Sequence, residues 1–167
     1  MRRRGGTDDV AARSAAAVIT RLGLTEPPVS LEKICREAGL VIVARPFDYI
    51  AGVLIRDDDL PVILVNARDR LTRRRFTIAH ELGHYFMGHK KSTFAEPASG
   101  GRAEREAERF AAYLLMPEDW VRRLWAAYAG NAANRISLLA ERFDVSRAAF
   151  ENRARELGLE LSGRRPR

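Results

Sequence analysis

Cysteine is almost absent from this chain. Cys35 is the only one in 167 residues, so no internal disulfide can form, and nothing argues for an oxidising compartment. Leu31, Ile34 and Ala38 surround it at helical spacing, which predicts a buried structural thiol and not a nucleophile. Long apolar runs are missing as well, and no stretch approaches the roughly 20 residues of a membrane span. The opening Met1-Arg-Arg-Arg-Gly-Gly resembles a charged leader, but Val10 to Leu24 is interrupted by Arg13 and Arg21, so the apolar centre of a signal peptide is lacking. There is no internal repeat. These absences predict a cytoplasmic protein with no membrane partner. What remains is 46% apolar and 31% charged, with a net charge of +7. A chain of this size can bury about two-thirds of its unfolded surface, as one domain or one domain with an appendage.

Histidine is scarce too, and its placement is informative. All three histidines fall between positions 80 and 89, two of them in His80-Glu81-Leu82-Gly83-His84. Residues four apart on an α-helix are neighbours, with Cβ atoms about 5–6 Å apart, so both imidazoles can turn onto one ion at about 2.0–2.1 Å from each nitrogen. Glu81 stands roughly 100° round the helix from His80. It is placed to flank an ion and take a proton from water whose pKa the ion lowers, then pass it to a leaving amine. That chemistry is peptide hydrolysis, with Glu81 as the candidate general base. The helix itself is predicted by Phe76, Ala79, Leu82, Tyr85 and Phe86 at three- and four-residue steps, with no proline from Leu71 to Gly88. Gly83 inside it costs about 1 kcal/mol relative to alanine, which implies that something approaches closely there.

Catalytic zinc usually takes three protein ligands, and the nearby acidic candidates are Glu96, Glu104, Glu106 and Glu108. Arg102 to Leu115 reads as a second helix, apolar at Ala103, Ala107, Phe110, Ala111 and Leu114 and closed by Pro117. On it Glu104 and Glu108 share a face with Ala111 and Leu115, while Glu106 points elsewhere. Glu96 lies in a Ser-, Pro- and Gly-containing connection from Lys90 to Gly101 that would hold a ligand poorly. His89 is a poor third ligand: a metzincin places its third histidine ten residues after the first, and His89 lies nine after His80. Near a helix C-terminus a structural role suits it better. Oxyanion stabilisation could fall to His89, Tyr113 or Arg102, and spacing does not choose among them.

Arg75-Phe-Thr-Ile-Ala-His80-Glu-Leu-Gly-His84-Tyr85, followed by Glu104-Arg-Glu-Ala-Glu108-Arg-Phe-Ala-Ala-Tyr-Leu-Leu-Met-Pro117, resembles the ImmA/IrrE family of bacterial and phage metallopeptidases. The likeness runs over about positions 8 to 159 and implies a gluzincin-like zinc endopeptidase. It also implies that Glu104, which leads the second motif, completes the metal set with His80 and His84. Where the family has Asn, this chain has Glu108, which is expected to accept a hydrogen bond from the outer nitrogen of a ligating histidine. Zinc is the expected ion, with manganese or iron as alternatives. Because the family inactivates helix-turn-helix transcriptional repressors by cleavage, in mobile-element immunity or stress responses, the resemblance makes a cognate repressor the expected partner.

The remaining segments predict an α+β, zincin-like domain with a small β-sheet. Asp8 to Leu22 is an alanine-rich helix, and Thr25-Glu26-Pro27-Pro28 is a break. Ser30 caps a second helix that ends near Ala38 at Gly39. Leu40 to Ala44, Ile50 to Ile55 and Pro61 to Val65 read as short strands. By resemblance to metallopeptidases of this architecture, Pro61 to Val65 is the candidate edge on which an extended substrate would pair. Leu138 to Leu157 fits a helix-turn-helix, with Ala140 at the helix contact, Asp144 at the turn, Ser146 as cap and Phe150 buried. The expected organisation is a basic, disordered 1–7, a metallopeptidase core over 8–130, helix-turn-helix-like helices over 131–160 packed on it, and a basic tail over 161–167.

Those C-terminal helices and the basic net charge support an alternative function. It is a DNA-binding or repressor-binding regulator that keeps the metal for structure or sensing. Against it, Glu151 and Glu156 share the would-be recognition helix with Arg147, Asn152 and Arg155, so that helix is not a basic face. Arg73-Arg74-Arg75 forms a second basic cluster near a helix start, which reads as a solvated face or a site for an acidic partner.

Overall fold

The computed structural model describes residues 10–57, 59–89 and 101–160. Two helices, α1 (Val10–Arg21) and α2 (Leu31–Glu37), lead into three strands, β1 (Val41–Arg45), β2 (Gly52–Ile55) and β3 (Val62–Asn66). Then follow α3 (Leu71–Phe86), α4 (Arg102–Leu115), α5 (Glu118–Ala127), α6 (Arg135–Phe143) and α7 (Arg147–Glu156). The mixed α+β class expected from the sequence is the one observed.

Local chemistry sets the boundaries. The Ser30 hydroxyl accepts from the Lys33 amide at 3.2 Å and caps α2. Gly39 then takes the left-handed conformation (φ +69) that ends it. The sheet order is β1-β3-β2, with β1 parallel and β2 antiparallel to β3. This corrects the expectation for Pro61 to Val65, because β3 is central, both of its edges are hydrogen-bonded, and it has no edge to offer a substrate. A parallel β1–β3 pair needs an intervening crossover, and the β2 hairpin arm occupies that stretch of sequence and pairs on the far side of β3. The edges are therefore β1 and β2.

One continuous core joins all of these layers. Ala11, Ala15 and Val18 of α1, Leu31 and Ile34 of α2, Ile63 and Val65 of β3, Leu82 of α3 and Phe110 and Leu114 of α4 belong to it. So do Leu139, Phe143, Phe150 and Ala154 of the C-terminal pair. Between α6 and α7, Asp144 adopts the left-handed conformation (φ 54), and the Ser146 hydroxyl caps α7 by accepting from the Ala149 amide at 3.1 Å. The Arg75 guanidinium, expected on a solvated face, instead ties three segments together. It donates to the Val29 and Asp144 carbonyls at 2.9 and 3.2 Å and pairs with the Asp144 carboxylate at 3.0 Å. Among the described residues, no helix is long and apolar enough to cross a membrane.

Candidate metal centre

Helices α3 and α4 cross where neither has bulk. A Cβ added at Gly83 would lie 3.0 Å from the Ala107 Cα, 3.1 Å from its carbonyl oxygen and 3.2 Å from the Phe110 Cβ. Glycine at 83 and alanine at 107 allow this approach, and the sequence had marked Gly83 for it. The close crossing sets Glu104, near the start of α4, against His80 and His84 on α3.

The His84 and His80 Nε2 atoms lie 3.1 Å apart. Glu104 reaches both, with Oε2 at 3.2 Å from His80 Nε2 and Oε1 at 3.4 Å from His84 Nε2. Ligands at about 2.0–2.1 Å from a tetrahedral ion stand roughly 3.3–3.4 Å from one another, so these separations fit a shared ion. The donor set fits too, since two imidazole nitrogens and a carboxylate converge on one point, and a cation there would offset both the lone-pair repulsion and the negative charge. His80, His84 and Glu104 form the group that could hold a metal among the described residues. His84 is fully buried, whereas the Glu104 side chain is 37% exposed, so the group opens on the Glu104 side.

Glu81 is buried beside this group, and its Oε2 accepts from the Leu54 amide of β2 at 3.1 Å. That amide lies on the β2 edge facing away from β3, so the outer edge of β2 runs past Glu81. At the end of the same strand, Arg56 donates to the His84 carbonyl at 2.6 Å and stacks on the Tyr85 ring at 5.5 Å. Strand β2 is thus fixed to the end of α3 that carries Glu81 and His84. Neither contact is signalled by local residue pattern, because both depend on how β2 pairs.

The other candidates are placed elsewhere. Glu108 is not brought to the group: it is exposed, has no hydrogen bond or ion pair among the described residues, and lines a cleft of about 700 Å³ with Arg73, Phe76, Met116, Ala149 and Asn152. The position expected for Glu108, beside the outer nitrogen of a candidate ligand histidine, is taken by His89, whose Nδ1 lies 3.1 Å from His84 Nδ1. His89 Nε2 in turn lies 3.2 Å from Glu106 Oε2. Glu106, off the Glu104 face as expected, therefore meets the group only through His89. The turn after α3 explains this, because Gly88 is left-handed (φ +67) and the His89 amide donates to the His84 carbonyl at 3.0 Å, which sets the His89 ring between His84 and Glu106. The Arg102 guanidinium, hydrogen-bonded to Glu106 at 2.7 Å, holds that carboxyl below the usual carboxylate range, and His89 adds to the effect. Arg102 is thus engaged with Glu106, and the Tyr113 hydroxyl with Glu156 at 3.0 Å. Glu96 and the terminal stretches 1–7 and 161–167 lie outside the described residues.

On α7, Phe150, Arg153 and Ala154 are buried. Arg153 donates to the Met116 carbonyl at 3.1 Å and lies over the Tyr113 ring. Arg147 and Arg155 both pair with Glu151. The helix that would read DNA is thus packed by one face into the core, and the exposed cations Arg147 and Arg155 face a carboxylate.

An α+β domain whose first long helix after the sheet carries His-Glu-x-x-His, with a carboxylate from the next helix completing the group, has the architecture of a zincin-like metallopeptidase. The family model of the IrrE N-terminal-like domain matches residues 35–155, and the chain belongs to that family, the ImmA/IrrE metallopeptidases. It is similar to the metallopeptidase ImmA of Bacillus subtilis, at 28% identity over 52% of this chain and 53% of that protein. It is also similar to the radiation response metalloprotease IrrE of Deinococcus deserti, at 34% identity over 65% of this chain and 40% of that protein. The chain thus spans about half or less of the length of these relatives. A solved structure described as a Mycobacterium tuberculosis transcriptional regulator shares the fold, with a TM-score of 0.61 at 21% identity, over 95% of this chain and 48% of that one.

Proposed function

We propose that the chain is a zinc-dependent endopeptidase that cleaves a helix-turn-helix transcriptional repressor and thereby derepresses mobile-element or stress-response genes. The observation that carries the reading is the convergence of His80, His84 and Glu104 beside a buried Glu81. His80, His84 and Glu104 are the proposed ligands, with residues 8–130 as the peptidase core and 131–160 packed on it. When bound, the ion supplies a Lewis acid and lowers the pKa of water toward 7, about nine units below its value in bulk. Glu81 accepts a proton from the attacking water and returns it to the leaving amine. The Leu54 amide anchors one Glu81 oxygen, which fixes the direction in which the carboxylate works. An extended substrate segment pairs on the outer edge of β2, which replaces β3 as the aligning strand. A repressor as substrate is suggested by family membership.

The competing reading is a regulator that acts by binding DNA or a repressor. The burial of α7 and the pairing of Arg147 and Arg155 with Glu151 weigh against a DNA-reading surface. The test is Glu81→Gln, which removes the base and keeps the metal set. The variant should retain metal, trap the repressor that co-purifies with it, and leave that repressor uncut, whereas the unaltered chain cuts it. A Glu81→Gln variant that relieves repression as well as the unaltered chain does would support the binding reading instead.

A further inference from the structure

A ligand histidine must present a bare nitrogen to its ion, and in a neutral imidazole the other nitrogen then carries the proton. For His84 the inward nitrogen is Nε2, at 3.1 Å from His80 Nε2 and 3.4 Å from Glu104 Oε1. Its outward Nδ1 faces His89 Nδ1 at 3.1 Å. Two ring nitrogens at that distance share one proton, so one donates and the other accepts. His89 Nε2 decides which, because its partner at 3.2 Å is Glu106 Oε2, a carboxylate oxygen that only accepts. In a neutral His89, Nε2 therefore carries the proton, which leaves Nδ1 as acceptor and puts the shared proton on His84 Nδ1. His84 Nε2 is then bare and points at Glu104 and His80. At the far end, the Arg102 guanidinium donates to Glu106 Oε1 at 2.7 Å.

We propose that Arg102, Glu106 and His89 form a hydrogen-bonded relay that fixes the tautomer and ring orientation of His84, making His89 and Glu106 positioning residues for the metal centre. The proposal rests on the reading of His80, His84 and Glu104 as ligands. The relay is built for this task by the backbone. Left-handed Gly88 folds the chain so that His89 returns over the last turn of α3, and Glu106 stands two residues beyond Glu104 on the helix that supplies the third candidate ligand. The same short stretch of α4 thus serves the centre from two sides, by Glu104 directly and by Glu106 through two imidazoles. The His84 and His89 side chains are 0% and 12% exposed, so water does not readily substitute for the missing partner when a link is removed.

A merely structural role, pinning the end of α3 to the start of α4, would require only that His89 fill its space and bond to something. The two roles separate in the zinc affinity of the full chain, measured by competition with a chromogenic chelator, with folding followed by circular dichroism. His89→Leu removes both hydrogen bonds and should bind zinc about 10–100-fold more weakly than wild type while remaining folded. His89→Gln carries an acceptor and a donor on one planar amide and should recover most of that loss. Glu106→Ala breaks the outer link at a partly exposed position and should also weaken zinc. In metal-free protein, nitrogen NMR of His84 should show the proton on Nδ1 in wild type and a mixture of tautomers in Glu106→Ala. The proposal is overturned if folded His89→Leu or Glu106→Ala binds zinc as tightly as wild type, or if His89→Gln is as weak as His89→Leu. Should His89→Leu not fold, Glu106→Ala decides. A folded wild type that binds no zinc overturns the ligand reading itself, and the relay with it.

Discussion

At the scale of single residues, the partners around a polar atom decide what it can do. Glu81 is a buried carboxylate that has found the Leu54 amide, so its orientation is set before any substrate arrives. Cys35 is the opposite case. Burial, assisted by the nearby Glu32 carboxylate, pushes its thiol up to about 12, so almost none is thiolate at neutral pH, and only the thiolate is reactive. A disulfide reagent at pH 8 should therefore leave folded protein unlabelled and label one thiol per chain in denaturant. Rapid labelling of the native protein would contradict the buried placement. The sequence anticipated this thiol because its helical neighbours are apolar, and it anticipated His80, Glu81 and His84 because one helix carries all three. It missed His89 and Glu106 because their contact depends on the left-handed turn at Gly88 and on the depth at which two helices cross. Spacing along either helix alone encodes neither.

At the scale of elements, the crossing of α3 and α4 is the feature on which the centre depends. Gly83→Ala gains up to about 1 kcal/mol of helix propensity, yet its methyl group would meet the backbone of α4 at 3.0 and 3.1 Å. Overpacking of this kind costs about 1–3 kcal/mol, and α4 can yield only by carrying Glu104 away from His80 and His84. The variant should be less stable than wild type in urea unfolding, by up to about 2 kcal/mol after the propensity gain, and should bind metal more weakly. A rise in stability would mean that the helices are not in contact there. Helix bounds were legible because capping residues and apolar stripes are local signals, as at Ser30 and over Arg102–Leu115. Strand order was not. Each β-run could be read from its own residues, but placing β3 between β1 and β2 requires pairings across 21 residues in one case, Val41 with Val62, and 13 in another, Gly52 with Val65. The edge proposed to align a substrate is therefore on β2, the strand whose amide reaches Glu81, and not on β3.

At the scale of the whole molecule, the C-terminal helix pair shares one core with α3 and α4. Arg75 couples its turn to α3 and to the α1–α2 connection. A helix-turn-helix pattern was legible in Leu138 to Leu157, and so was the burial of Phe150, but the contacts of Arg153 with Met116 and Tyr113 were not, since they join segments far apart in the chain. The proposed function rests at this scale on a metal held by His80, His84 and Glu104. Elemental analysis of purified wild type, His80→Ala, Glu104→Ala and Glu108→Ala, each confirmed folded by circular dichroism, tests it most directly. One ion per chain in wild type and in Glu108→Ala, with loss in His80→Ala and Glu104→Ala, is the predicted result. A folded wild type without metal, or loss in Glu108→Ala with retention in Glu104→Ala, would contradict the assignment of the centre.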